Sequence, residues 1–246
     1  MPEQRVAVVT GSTSGIGAAT AARLSAEGMR IVVNSARSVE EGRLLAGKLP
    51  DALYVQADVS DEEQARHLIA AAVERYGRLD VLVNNAGTTQ VIPHHDLEAV
   101  TPQVWWDILS LNVIGTWQVS AAAAPHLGAG STPGQIVNIS SVAGTRPVGS
   151  SIPYAVSKAA INHMTQLLAA TLGPRVRVNA VAPALTETAW TRDDPFFQKL
   201  AAKCREETPL RRVGTAEDVA RTVSAVLGLA HLTGAVIPVD GGATLV

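Results

Sequence analysis

Residues 154–158 read YAVSK. A tyrosine and a lysine four places apart share one face of a helix. Together they suit proton transfer to an oxygen that is gaining negative charge. A proton donor works best with a pKa near the working pH, whereas free tyrosine sits at about 10. A cation about 4 Å away, at an effective dielectric near 20, is worth about 4 kcal/mol. At 1.36 kcal/mol per unit, that lowers the phenol by up to roughly three units. Desolvation of the phenolate opposes the effect, so three is an upper bound. The same pentapeptide also arises by chance on ordinary buried helices, so its neighbourhood has to decide.

The elements that must position this pair alternate along all 246 residues. Strand-like apolar runs fall at 5–10, 31–33, 53–57, 79–83, 135–139, 176–181 and 235–239. Helical patterns separate them, including 15–27, 101–124, 151–172 and 215–229. Ser38 with Glu41, and Ser60 with Glu63, have the spacing of capping boxes, and the second helix so opened runs to about Tyr76. Thr101 followed by Pro102 reads as an N-cap and a first helical position. Strands too apolar to have a wet face, alternating with helices, predict a parallel sheet covered on both sides, with right-handed crossovers. The expected fold is α/β, a doubly wound Rossmann-type arrangement. It has a seven-stranded parallel sheet with helices on both faces, in one domain spanning 1–246. Residues 184–214 form the one long stretch without a clear period. Such stretches in compact domains are lids, binding loops or disordered segments.

Bulk properties narrow the classes. Net charge is −2 and the sequence pI about 6.3, which points to neither nucleic acid nor an anionic membrane as partner. Cys204 is the single cysteine, so there is no internal disulfide, as suits a reducing compartment. No basic and apolar leader opens the chain, and no apolar run is long enough to span a bilayer. A cytoplasmic location is expected.

The first strand ends in TGSTSGIG, with glycines at 11, 15 and 17. This is not the common G-x-G-x-x-G spacing, but the order strand, glycine-rich turn, helix fits a dinucleotide site. Glycines let backbone N–H groups approach a pyrophosphate, and the helix N-terminus adds partial positive charge. A plain turn with close helix packing at Gly17 reads equally well. At the end of the second strand, NSARS places Ser35 where an acidic residue would favour NAD. Arg37 precedes Ser38 at a helix start, a combination that suits the 2′-phosphate of NADP. The competing reading is a solvated surface arginine.

Taken together, these motifs resemble the single-domain short-chain dehydrogenases/reductases over essentially the whole chain. TGSTSGIG is followed by Asp58-Val59, NNAG at 84–87, Asn112, Ser141, Tyr154 with Lys158, a proline-led turn at 183–188 and VDGG at 239–242. The resemblance implies that Tyr154 is the general acid/base and Ser141 the hydroxyl that orients a carbonyl. It makes Lys158 the ribose-binding cation and Asn112 the holder of a proton-relay water. Ser141 is chosen over Ser140 because the family's serine lies about a dozen residues before its tyrosine. Ser140 then reads as a strand-end hydroxyl satisfied by backbone. Asn112 has the alternative of a helix-interior asparagine bonding locally, and Asp58 that of a residue just ahead of a cap. Implied cofactor contacts are Gly11, Thr13, Ser14, Gly15, Ile16, Gly17, Ser35, Arg37, Ser38, Asp58, Val59, Asn85, Ala86, Gly87, Tyr154, Lys158, Pro183, Ala184, Thr186 and Thr188. The cofactor is expected to be NADP, with NAD as the alternative, and no metal is expected.

Two departures stand out. Ala184 follows Pro183 where the family has glycine, and alanine is strained if that backbone needs positive φ. Ser14 stands where many NADP-using members carry a basic residue. The subgroup most similar in appearance is the 3-oxoacyl-acyl-carrier-protein reductases, which implies a small-molecule or acyl-thioester carbonyl substrate. The stretch before the fifth strand, residues 128–134, carries no charge for an acidic carrier, although Arg175 and Arg177 remain. A reductase of a free sugar, steroid-like or polyketide-derived carbonyl is the alternative, and a cofactor-binding regulator without turnover is another. Trp190, Phe196, Phe197 and Leu200, interleaved with Lys199, Lys203, Arg211 and Arg212, either line a pocket or form an amphipathic helix. His94 and His95 read as rim residues. The helices at 112–124 and 154–172 are apolar on more than one face, so they are expected to be buried all round. That predicts pairing across a two-fold axis into a homodimer that can double to a homotetramer.

Overall fold

The computed structural model describes residues 4–130, 132–188, 191 and 194–246. Trp190 lies outside them. The described chain begins with strand β1 (Val6–Val9), helix α1 (Gly15–Ala26), β2 (Arg30–Ser35), α2 (Val39–Lys48), β3 (Ala52–Gln56) and α3 (Glu62–Tyr76). It continues through β4 (Val81–Asn84), α4 (Pro102–Leu109), α5 (Thr116–Ala123), β5 (Gly134–Ile139), α6 (Ile152–Leu172) and β6 (Val176–Pro183). The last elements are β7 (Thr186–Glu187), α7 (Pro195–Glu207), β8 (Gly214–Thr215), α8 (Ala216–Gly228) and β9 (Val236–Val239). Seven strands form one sheet in the order β3-β2-β1-β4-β5-β6-β9, and every pairing is parallel. This is the expected doubly wound arrangement.

The uninterrupted apolar runs have a simple cause. Successive strand residues point to opposite faces, and helices cover both. From β1, Val6 and Val8 pack with Leu68, Ile69, Val119 and Leu168. Ala7 and Val9 pack with Leu24, Val219 and Val223 on the other side. All four β1 residues are fully buried. Strand order reverses direction between β1 and β4, which opens a crevice beyond the carboxyl ends of the strands. No helix of the described residues is long and apolar enough to cross a membrane.

Local capping differs from expectation in two places. Ser38 precedes α2 but its side chain makes no capping bond, so the box with Glu41 does not form. The cap of α3 is Asp61, whose carboxylate accepts from Gln64 N. Ser60 instead donates to Asp58 Oδ1 at 2.6 Å, one residue out of the expected register. Thr101 does cap α4 and Pro102 does start it.

The helix expected across 101–124 is not uniform. A π-helical turn, Ser110–Gly115, joins α4 to α5. The hydroxyls of Thr116 and Ser120 donate to carbonyls four residues back, Asn112 O and Thr116 O, a bonding mode that bends helices. The segment 184–214 is also more regular than its sequence suggests. β7 pairs with β8, and α7 is capped by Asp194, which accepts from Phe196 N.

Candidate active site

A cleft of about 1470 Å³ runs along the carboxyl ends of β1, β2, β4, β5 and β6, with α7 across one end. Its floor begins with the glycine turn. Gly11 and Gly15 have φ of 58° and 53°, the region L-residues avoid. A Cβ on Gly17 would lie 2.5 Å from both Asn85 Nδ2 and Gly11 O, so Gly17 packs the helix down rather than facing the cleft. No side chain caps α1 at Ser14, which leaves its first N–H groups for an anion. The turn is held by side chains to which motif reading gave no such structural role. Gly11 N donates to Asn34 Oδ1 at 3.2 Å, and Asn34 Nδ2 donates to Val55 O and Ala57 O. Ser12 Oγ accepts from Asn34 N, and Asn85 Nδ2 donates to Thr10 O and Gly11 O. The one available signal was a set of short polar residues at strand ends.

At the β2 end, Ser35 is already committed. Its hydroxyl lies 2.9 Å from Tyr54 Oη and donates to Ser38 O at 3.0 Å. It therefore shapes the wall rather than offering a free donor. Arg37 is exposed and lines the cleft, and the uncapping Ser38 hydroxyl beside it is likewise available. Asp58 and Val59 line the next wall. Asp58 Oδ1 accepts from Ser60 N and Oγ, a turn-making role that commits one of its two carboxylate oxygens.

At the other end, α6 and the β5 terminus bring Ser141, Tyr154 and Lys158 together. The Ser141 hydroxyl donates to Pro183 O at 3.4 Å and accepts from Ala143 N at 3.2 Å, and its influence on the Tyr154 phenol favours the ionised form. Burial pushes that phenol above 10, and the serine only partly reverses this. Lys158 is 6% exposed, and its Nζ donates to Ile139 O at 2.9 Å. Burial lowers it from 10.5 to about 8. Its ammonium lies 5.6 Å from the Tyr154 ring centroid, and burial rather than this charge dominates the phenol. A phenol already lowered by three units is therefore not what the free protein holds.

Asn112 sits in the π turn and is buried. Its Nδ2 donates to Thr88 O and Ser157 Oγ, both at 3.0 Å, and its Oδ1 accepts from Thr88 N at 2.8 Å. The bonds reach across the fold rather than along the helix. Both amide protons are taken, so a water at Asn112 must donate to an oxygen. Ser140 also lines the cleft, but its hydroxyl is spent inside the protein, donating its proton to Asn162 Oδ1 with Lys158 O also in reach. It is satisfied partly by a side chain, not by backbone alone.

The remaining expected contacts divide. Ile16, Asn85, Ala86, Gly87, Pro183, Ala184, Thr186 and Thr188 line the cleft, whereas Thr13 and Gly17 do not. Ala184 is free of the feared strain, since Arg211 is the one non-glycine residue with positive φ among those described. His94 lines the cleft and His95 does not. Phe196, Phe197 and Leu200 of α7 line it, with the two phenylalanine rings edge to face at 5.1 Å. Arg177 is not available to a partner. Its guanidinium donates to Leu227 O, Leu232 O and Gln135 Oε1. Sequence reading missed Arg146, Val148 and Ser150, which the β5–α6 loop brings to the cleft.

Comparison with known proteins gives the following likenesses. A family model described as enoyl-(acyl carrier protein) reductase matches residues 11–244. The protein assigned as ketoacyl reductase 2 of the granaticin polyketide synthase of Streptomyces violaceoruber is 62% identical over 244 residues, covering 99% of this chain and 98% of that one. A structure assigned as a short-chain dehydrogenase/reductase from Burkholderia xenovorans superimposes with a TM-score of 0.91 at 32% identity, covering all of both chains. The 3-ketoacyl-(acyl-carrier-protein) reductase of Brucella melitensis, in complex with NADH, gives 0.88 at 30% identity and 98% coverage of each chain. ElxO with NADP bound gives 0.89 at 28% identity, covering 99% of this chain and 100% of that one.

Proposed function

Because this chain belongs to the short-chain dehydrogenase/reductase family, we propose that it is an NADP(H)-preferring oxidoreductase that interconverts a 3-oxoacyl thioester ketone and its secondary alcohol. The observation that carries this reading is one cleft with a glycine turn at one end and Ser141, Tyr154 and Lys158 at the other. The residues fit a dinucleotide. The Gly11–Gly15 turn and the uncapped α1 terminus would hold the pyrophosphate, Asp58 and Val59 the adenine, and Arg37 with Ser38 a 2′-phosphate. Lys158 would hold the nicotinamide ribose. A bound nicotinamide supplies or accepts the hydride.

The chain's own residues handle the oxygen. Ser141 donates a hydrogen bond to the substrate carbonyl and fixes it beside Tyr154. A phenol kept above 10 by burial is fully protonated at neutral pH, the state a donor needs for reduction. As the carbonyl carbon is reduced, the phenolic proton moves to its oxygen and leaves a phenolate. The Lys158 ammonium, held by Ile139 O, stabilises that phenolate at the moment it forms. Asn112 anchors a water for reprotonation through an acceptor oxygen. Phe196, Phe197 and Leu200 give an apolar wall for an acyl chain.

The polyketide ketoacyl relative favours a polyketide-type thioester. A free polyketide-derived ketone is the second reading, favoured by the uncharged 128–134 stretch. We read the chain as one domain acting in the cytoplasm as a dimer or tetramer. Tyr154→Phe tests the chemistry with a 3-oxoacyl N-acetylcysteamine thioester and NADPH. Turnover should fall by about 10²–10⁴-fold while NADP⁺ binding persists. Near-normal kcat would remove Tyr154 as the proton donor.

A further inference from the structure

We infer that Arg146 grips the phosphate of a phosphopantetheine-type tether, which makes it the specificity residue for carrier-linked over free ketones. The inference rests on the reductase reading above. Arg146 follows Ser141 by one tight turn, its N–H donating to Val142 O. The loop then returns to the active site: a Cβ on Gly149 would lie 3.5 Å from Tyr154 Cδ1. Three residues span at most ~11 Å of chain, so the Arg146 backbone stays within that distance of a residue touching the tyrosine. A tether of roughly four residue-lengths, ~14 Å when extended, has the right scale to join a ketone at Tyr154 to this guanidinium.

Charge in the cleft singles the residue out. Of the basic side chains lining it, Lys158 is bonded to Ile139 O, and Lys203 pairs with Glu207 at 3.5 Å. Arg37 stands at the adenosine end. Arg146 is exposed, and its side chain has no hydrogen bond or ion pair among the described residues. Among the described residues it is therefore the uncompensated guanidinium at the catalytic end. Its surroundings suit an amphiphilic tether. Val148, 47% exposed, lies beside it, its N–H donating to Arg146 O, and Phe196 and Phe197 line the same cleft. A guanidinium fork meets a phosphate through two parallel N–H donors. That contact is the same in the ground and transition states, so it acts on KM.

The test compares a 3-hydroxyacyl pantetheine with its 4′-phosphate by calorimetric binding, with and without NADP⁺, and the matching 3-oxoacyl pair in turnover. In the wild type the phosphate should tighten binding about tenfold, the low end for a charge-assisted hydrogen bond at an exposed site. Arg146→Ala should abolish that preference and Arg146→Lys should keep part of it. Equal binding of the two ligands by the wild type overturns the inference, as does a phosphate preference that survives Arg146→Ala. A loss seen with coenzyme A thioesters but not with carrier-bound ones assigns Arg146 to the nucleotide phosphates and also overturns it. Phosphate-dependent binding without turnover of either ketone would sink the reductase reading and leave the anchor standing.

Discussion

Lys158→Met should make the cofactor-free protein more stable at neutral pH while destroying its activity. The ammonium is 6% exposed, and burial alone lowers it from 10.5 to about 8. That difference of about 2.5 units corresponds to about 3 kcal/mol of folding free energy. The sign follows from proton counting. Below pH 8 the lysine is charged both folded and unfolded, and the folded state carries the full desolvation cost. Between pH 8 and 10.5 the unfolded chain binds more protons, so stability from this group rises with pH. Above 10.5 the cost is gone. Methionine is unbranched, of similar length and uncharged. It forfeits the bond to Ile139 O, and a carbonyl left unpaired costs about 1–2 kcal/mol. The net gain at pH 7 is then about 1–2 kcal/mol, or a rise in Tm of about 2–8 °C for a chain of this size. Calorimetric unfolding of both proteins at pH 7 and at pH 10.5 reads it directly, each pair compared at one pH. The variant should melt higher at pH 7 and no higher at pH 10.5. A variant that melts lower at pH 7 would show that the ammonium's bond outweighs its desolvation, and would refute the reasoning. Wild-type turnover should also decline as pH rises through about 8, where the charge is lost.

Two further outcomes are expected. Arg37→Ala should lower kcat/KM with NADPH by about tenfold, the low end for a hydrogen bond to a charge at an exposed site, and leave NADH little changed; a wild-type preference for NADH untouched by the substitution would return Arg37 to the solvent. Trp106 on α4, Trp117 on α5, and Val156 and Leu167 on the neighbouring α6 are all 44–66% exposed. These exposed apolar side chains should pair two chains, so light scattering should give a dimer or tetramer at micromolar concentration, Trp117→Lys should shift it toward monomer, and a monomeric wild type would refute the pairing.

Much of the molecule was legible because its signals are local. A sheet covered on both faces leaves continuous apolar strands, and β1 (VAVV) shows this plainly. Tyr154 and Lys158 share a helix face by spacing alone, and TGSTSGIG marks a turn because glycine adopts the φ of 58° and 53° at Gly11 and Gly15 without steric cost. What stayed hidden depends on partners distant in the chain. The π turn at Asn112 has no spacing signature and depends on cross-fold bonds to Thr88 and Ser157. Asn34 pins the glycine turn through β3 carbonyls twenty-odd residues away. Ser35 is consumed by Tyr54, which no reading of NSARS could foresee. Capping shifted from Ser60 to Asp61 because the competing acceptor, Asp58, took the serine hydroxyl. Arg146 became a cleft residue only when the β5–α6 loop folded back onto Tyr154. Sequence periodicity reports which face a residue shares with its neighbours along the chain. Which distant group it meets, and what charge survives there, is decided by packing in three dimensions.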